Sequence, residues 1–161
     1  MPCTRLLHGL MASAILGIAA VSGTVAAASD PAKPGPDLTA REVVDIQLEA
    51  LSDNDNPVPD AGIEQVWAFA HPDNRAITGP LPRFKRMIRG PGYGVLINHT
   101  RAEIMPLGEG RDRAVYRVRV LARDGGFYRF RWRLEKASLD AGDAWMTTGV
   151  TPARDTGEKM L

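Results

Sequence analysis

The chain has 161 residues, 44% of them hydrophobic and 24% charged, with 20 Lys and Arg against 19 Asp and Glu. That is the length and balance of one ordinary globular domain, and a total charge near zero argues against a general polyanion binder. The single cysteine, Cys3, stands at the extreme N-terminus, which excludes disulfides, thiolate-bound metals and cysteine nucleophiles from the body of the protein.

Residues 1–28 have the pattern of a signal peptide. Arg5 supplies a positive n-region, Leu10 to Val21 an apolar h-region, and Ala26-Ala27-Ala28 a small-residue cleavage site. An uncleaved anchor is the competing reading, but Ser, Gly and Thr within the run and its small-residue end favour cleavage near Ala28. The expectation is an exported protein, periplasmic or secreted, with no membrane anchor after cleavage. Charge is divided along the rest. Residues 29–79 carry ten acidic and three basic side chains, a balance of −7, and residues 80–161 carry nine acidic and sixteen basic, or +7. Two halves that pack together would partly compensate each other.

Residues 29–37, with three prolines and one glycine, read as a linker. Thr39 and Glu42 then have the S/T-x-x-E spacing of a capping box, opening a helix from about Ala40 to Ser52. Val44, Leu48 and Leu51 form its apolar stripe, widened by Val43 and Ile46. Asp53 to Pro59 reads as a surface loop. Asp53, Asp55 and Asp60 do not make a calcium loop, because the glycine and the closing glutamate of that motif are missing and prolines interrupt the run. Asp60 can cap a second helix with Ile63, Val66, Trp67 and Ala70 facing inward, ended by His71-Pro72. Asp73 to Gly79 reads as a connector. Pro80 suits the first turn of a third helix, with Leu81, Phe84, Met87 and Ile88 inward.

Beyond the hinge at Pro91 to Gly94 the period changes from 3.6 to 2. Gly94 to Ile97 reads as a short strand or turn and Arg101 to Met105 as a strand. The run Ala114 to Lys136 reads as a hairpin about Asp124-Gly125-Gly126, whose glycines take positive φ cheaply. On its first arm Tyr116, Val118, Val120 and Ala122 share one face, and Arg117, Arg119 and Arg123 the other. On its second arm Tyr128, Phe130, Trp132 and Leu134 oppose Arg129, Arg131 and Arg133. Asp143 to Val150 supplies a last strand, and residues 151–161 read as a flexible tail. Residues 38–150 therefore form one α+β domain, N-terminal helices packed on a curved antiparallel sheet.

The run GIEQVWAFAHPDNRAITGPLPRFKRMIRGPGYGVLINH, residues 62–99, with VVDIQLEAL before it and WMTTGV after it, resembles a bacterial and plastid-lineage family, domain of unknown function 4864. The resemblance spans Leu38 to Val150. It implies the cone-shaped α+β fold of nuclear transport factor 2 and the ketosteroid isomerases, in which a curved sheet wraps a long helix around an apolar cavity. It brings no catalytic motif. Related cone folds dimerise through the sheet, so a homodimer is one expectation, although an arginine-rich face would resist it unless anions intervene.

In such a cone Tyr116, Tyr128, Phe130 and Trp132, with Trp67 and Phe84, would line a cavity for a small apolar ligand; filling of the core is the plainer reading of the same stripe. An isomerase or dehydratase would need a carboxylate or histidine base beside a phenol, and the inward strand positions carry no Asp or Glu. His99 sits at a strand entry, and His71 reads as a cap. The other face, Arg117, Arg119, Arg129, Arg131 and Arg133, can dock an acidic protein partner or an anionic surface, or simply be solvated. Nucleic acid is a poor fit to an exported protein whose arginines are not interleaved with exposed aromatics. Asn98-His99-Thr100 is a glycosylation sequon by pattern alone. No cofactor and no metal spacing is read. The expectation is a non-catalytic binding domain for a small apolar ligand or a protein partner, with a cavity enzyme and an arginine-face interaction module as alternatives.

Overall fold

The computed structural model describes residues 30–160, and the leader read in residues 1–28 lies outside them. Among the described residues four helices precede a curved five-stranded antiparallel sheet, an α+β arrangement. No described helix is long and apolar enough to cross a membrane.

Helix α1 (Ala40–Ser52) starts where the capping box places it. The Thr39 hydroxyl accepts from the Glu42 amide at 3.2 Å, and the Glu42 carboxylate accepts from the Thr39 amide at 2.8 Å. Those bonds, from backbone first and then side chain, hold the Glu42 carboxyl below its usual pKa. Val43, Val44, Leu48 and Leu51 are buried, and so is Gln47 in the middle of the stripe.

Helix α2 (Ala61–Ala68) corrects the expected cap. Asp60 lies at φ +67° without a side-chain capping bond, because its carboxylate pairs with Arg89 and, at 3.5 Å, with Lys85. Asn54 takes the capping role instead, its Oδ1 accepting from the Ile63 amide at 3.1 Å and its backbone carbonyl from the Gly62 amide at 2.9 Å. The supposed connector is helix α3 (Pro72–Thr78), with His71 at its N-cap and Pro72 in its first turn. It buries none of its side chains, so no apolar stripe marks it in the sequence. Helix α4 (Leu81–Ile88) buries Phe84 and Ile88, and of the strand or turn expected at Gly94 to Ile97 the structure has a turn, a 3₁₀ turn over Gly94–Leu96.

The sheet runs β1 (Arg101–Glu109), β2 (Arg113–Leu121), β3 (Gly126–Leu139), β4 (Gly142–Val150) in that spatial order. A fifth strand, β5 (Arg154–Lys159), corrects the reading of residues 151–161 as a loose tail. Strand β3 is long enough to take two partners on one edge. Its residues Trp132 to Leu139 pair with β4, and Gly126 to Arg129 pair with β5. The hairpin turn is as expected, with Gly125 at φ +78° and the Asp124 carboxylate accepting from the Gly126 amide at 2.9 Å.

Across β2 and β3 the directly opposed pairs are Tyr116 with Trp132, Val118 with Phe130 and Val120 with Tyr128. This face packs against Val43, Val44, Leu48 and Leu51 of α1 in one hydrophobic core. Just after α2 the chain joins the sheet through a parallel bridge of Ala70 to Thr147. The opposite face of β2 and β3 is left to water, as a one-sided antiparallel sheet allows.

Candidate functional site

The arginines of the wet face singled out from the sequence each sit opposite another arginine or beside one, whereas Arg113, at the end of β2, is opposed to Glu135 and paired with it at 3.4 Å. Arg117 is directly opposed to Arg131, and Arg119 to Arg129. Strand β5 extends the second row, because Arg154 is directly opposed to Arg129. Opposed residues of an antiparallel pair project from the same face with Cβ atoms about 4.5–5.5 Å apart, so like charges placed there repel.

Of the five arginines singled out from the sequence, Arg119 alone has a neutralising carboxylate among the described residues. Arg119 meets Glu103 of β1 at 3.4 Å and Glu158 of β5, and its guanidinium lies 3.9 Å from the centroid of the Phe127 ring. Arg117 reaches the sulfur of Met105 at 3.8 Å. Among the described residues, Arg117, Arg129, Arg131, Arg133 and Arg154 have no carboxylate within salt-bridge distance, and all five are exposed. Two clefts run over this face and share Arg117 and Arg129. One, of about 270 Å³, contains Arg119 with its two glutamates. The other, of about 250 Å³, is lined by Leu107, Arg117, Arg129, Phe130, Arg131, Thr151 and Arg154, with no acidic group.

A different arrangement occupies the end of the sheet near the first turn of α1. The register of β1 shifts between Pro106 and Gly108, which leaves Leu107 unpaired and places Glu109 opposite the inward residue Ala114. A bulge re-aims the side chains that follow it. Glu109 consequently accepts a hydrogen bond from the phenol of Tyr116, the buried neighbour two residues along β2. Burial, and then that bond, push the Tyr116 pKa upward, so the phenol keeps its proton. Both side chains line a cleft of about 350 Å³ with Leu38, Arg41 and Trp145.

A family model described as "Domain of unknown function (DUF4864)" matches residues 35–160. The chain belongs to the DUF4864 family. Comparison with the curated proteins and with the solved structures gives no match.

In this DUF4864 domain the six aromatic positions singled out from the sequence all belong to the core or pack on it. Phe84, Tyr116, Phe130 and Trp132 are each at most 3% exposed, and Trp67 and Tyr128 lie partly buried against them. The Trp67 and Phe84 ring centroids are 4.9 Å apart, and the Arg75 guanidinium lies over the Trp67 ring, 5.2 Å from its centroid. Tyr116 and Phe130 reach the floor of a cleft; Trp67, Phe84, Tyr128 and Trp132 line none of the three clefts above.

Sequence reasoning missed three participants. Arg154 and Glu158 lie in a stretch with no alternation of apolar residues, and only backbone pairing with β3 brings them to the arginine face. No strand acid is buried, but Glu109, exposed at the end of β1, reaches the inward Tyr116, and the sequence signal for it is the Pro106-x-Gly108 interruption within the strand. The histidines are engaged locally. His71 Nδ1 accepts from the Asp73 amide at 3.2 Å, and His99 Nδ1 donates to the Leu96 carbonyl at 2.7 Å. Burial lowers the His99 pKa. Asn98 Oδ1, in the sequon, accepts from the Asn54 amide at 3.1 Å. Among the described residues no group of three His, Cys, Asp or Glu side chains is placed to hold a metal ion.

Proposed function

We propose that this DUF4864 domain is a non-catalytic binding domain that holds an anionic partner on the arginine face of its sheet. One observation carries the reading. Arg117 with Arg131, and Arg129 with Arg154, are opposed like charges without a neutralising carboxylate, on a chain that supplies two glutamates to Arg119 close by. An anion bound there relieves the repulsion, so the free protein is poised for one. Export of the protein, on the signal pattern of residues 1–28, and a cone-shaped fold like that of nuclear transport factor 2, with α1 against the inner face of the sheet, are parts of the same proposal.

The test is anisotropy of fluorescein-labelled poly-glutamate titrated with the mature chain at increasing NaCl. Binding that weakens steeply with salt is expected, because exposed charges are screened over about 8–10 Å at physiological ionic strength. Affinity unchanged from 50 to 500 mM NaCl, or no binding at low salt, removes the proposal.

A second reading is favoured by the Tyr116–Glu109 pair: a small, largely apolar molecule bound in the cleft between α1, β1 and Trp145. Native mass spectrometry of protein purified from its own cell envelope tests it. A retained mass that disappears in Tyr116→Phe supports it, and a bare chain at native concentration opposes it.

A further inference from the structure

The two clefts on the wet face differ in charge, and the difference is local. Both contain Arg117 and Arg129, yet Glu103 and Glu158 enter only the first. In the second, Arg131 and Arg154 complete a group of four guanidinium side chains with Thr151 and Leu107 at its border.

Register fixes how close these four stand. Arg129 and Arg131 are two residues apart on β3, so they project from one face; Arg117 is opposite Arg131, and Arg154 is opposite Arg129. Thr151 is held at the junction of β4 and β5 by two bonds to Arg131. Its amide donates to the Arg131 carbonyl at 3.0 Å and its hydroxyl oxygen accepts from the Arg131 amide at 2.9 Å. The hydroxyl proton remains free to turn toward the cleft.

We propose that this second cleft is a site for a phosphate dianion borne by a small molecule. The inference rests on the arginine face being the binding face and names its ligand class. A carboxylate has about four acceptor positions and one charge, too little for four guanidinium forks, whereas a phosphate monoester offers three terminal oxygens and up to two charges. Arginine suits this ligand better than lysine because its planar fork donates two parallel hydrogen bonds to the same group. The exposed Leu107 gives the rest of the molecule an apolar surface beside the charge.

Isothermal titration of the mature chain with inorganic phosphate, at an ionic strength held constant with NaCl, tests the site. Glutarate serves as the dicarboxylate control. Saturable phosphate binding, stronger than glutarate binding, is expected. Arg131→Gln and Arg154→Gln should each weaken it about 10-fold, the usual consequence of losing a charge-assisted hydrogen bond. Arg133→Gln removes the same charge from the same face outside the cleft and should change it by less than about 2-fold. Arg131→Lys, which keeps the charge and loses the fork, should weaken phosphate while leaving the salt dependence of poly-glutamate binding unaltered.

Equal losses in all three glutamine variants would mean a diffuse field and overturn the site. Phosphate no better than glutarate, with poly-glutamate binding intact, overturns the site and leaves the binding face standing; loss of both removes both. Phosphatidylcholine vesicles carrying phosphatidate separate the sources of the dianion. Sedimentation with them that inorganic phosphate competes away assigns the group to a lipid, which overturns the small-molecule source. Phosphate binding without sedimentation supports it.

Discussion

The indole Nε1 of Trp132 donates to the side-chain Oε1 of Gln47 at 3.0 Å, inside a core where both residues are at most 1% exposed. Thr147 completes the cluster, its hydroxyl accepting from Gln47 Nε2 at 2.9 Å and donating to Gln47 Oε1 at 3.1 Å. One amide therefore satisfies a residue from β3 and one from β4 while sitting in the apolar stripe of α1. Gln47→Leu leaves the Trp132 and Thr147 donors unpaired, and each such group costs about 1–3 kcal/mol. Urea denaturation should show a loss of that order. The combination of Gln47→Leu with Trp132→Phe and Thr147→Val removes every polar partner at once and should recover part of it.

Gly62 is required by the approach of α2 to α1. A Cβ at this position would collide with the Ala50 carbonyl oxygen, which is backbone and cannot turn away. In an isolated helix Gly→Ala gains up to about 1 kcal/mol, whereas overpacking costs about 1–3 kcal/mol or more. The clash wins, so Gly62→Ala should be destabilising in thermal denaturation, opposite to the propensity scale. An unchanged or higher Tm would show that the helices separate without penalty.

His99 sets a pH dependence. Burial lowers its folded-state pKa below the ordinary 6.5, so the unfolded chain binds the proton more tightly. The stability it contributes is complete above about pH 6.5 and is lost as the pH falls through the lowered value. Denaturation midpoints should therefore drop from pH 7 toward pH 5. His99→Asn, which keeps a side-chain donor for the Leu96 carbonyl and cannot titrate, should flatten that part of the profile. An identical slope in the variant would assign the effect to other groups.

What could be read from the sequence follows from which signals are local. The Thr39–Glu42 box and the Val43-to-Leu51 stripe mark α1 residue for residue, and the alternation about Gly125 marks the β2–β3 hairpin and its two faces. Helix α3 buries nothing, so periodicity cannot reveal it. Strand β5 is RDTGEK, held by backbone pairing to β3 with no apolar face of its own. Asp60 has a cap residue's chemistry, but Arg89 and Lys85, 25 or more residues away, take its carboxylate. Glu109 reaches Tyr116 only because β1 shifts register, and Gln47 looks like a flaw in a stripe until Trp132 and Thr147 are beside it. Five arginines of the face were legible from alternation; the sixth, Arg154, depends on β5.

Strand β5 can be tested by ending the chain after Pro152. The truncation removes Glu158 from Arg119 and the bond from the Thr156 hydroxyl to the Phe127 carbonyl, and it leaves the edge of Gly126 to Arg129 unpaired. A lower Tm and faster amide exchange confined to the first half of β3 are the expected results. Uniform exchange rates across β3 would show that β5 adds little to the sheet.

The opposed arginines make the last prediction, because stability and binding should move in opposite directions. Arg117 faces Arg131 without a carboxylate, while in the next row Arg119 has Glu103 and Glu158. Arg117→Glu converts a repulsive cross-strand pair into an attractive one, worth about 0.2–1 kcal/mol each way at an exposed site. The free protein should therefore become slightly more stable, most clearly at low salt, where screening is weakest. The same substitution places a negative charge inside the cleft with Arg129, Arg131 and Arg154 and should abolish phosphate binding and weaken poly-glutamate binding. A face kept only as a solvated surface gains stability from the exchange and loses nothing. A face kept for an anion gains stability and loses its ligand, and calorimetry on one variant distinguishes the two.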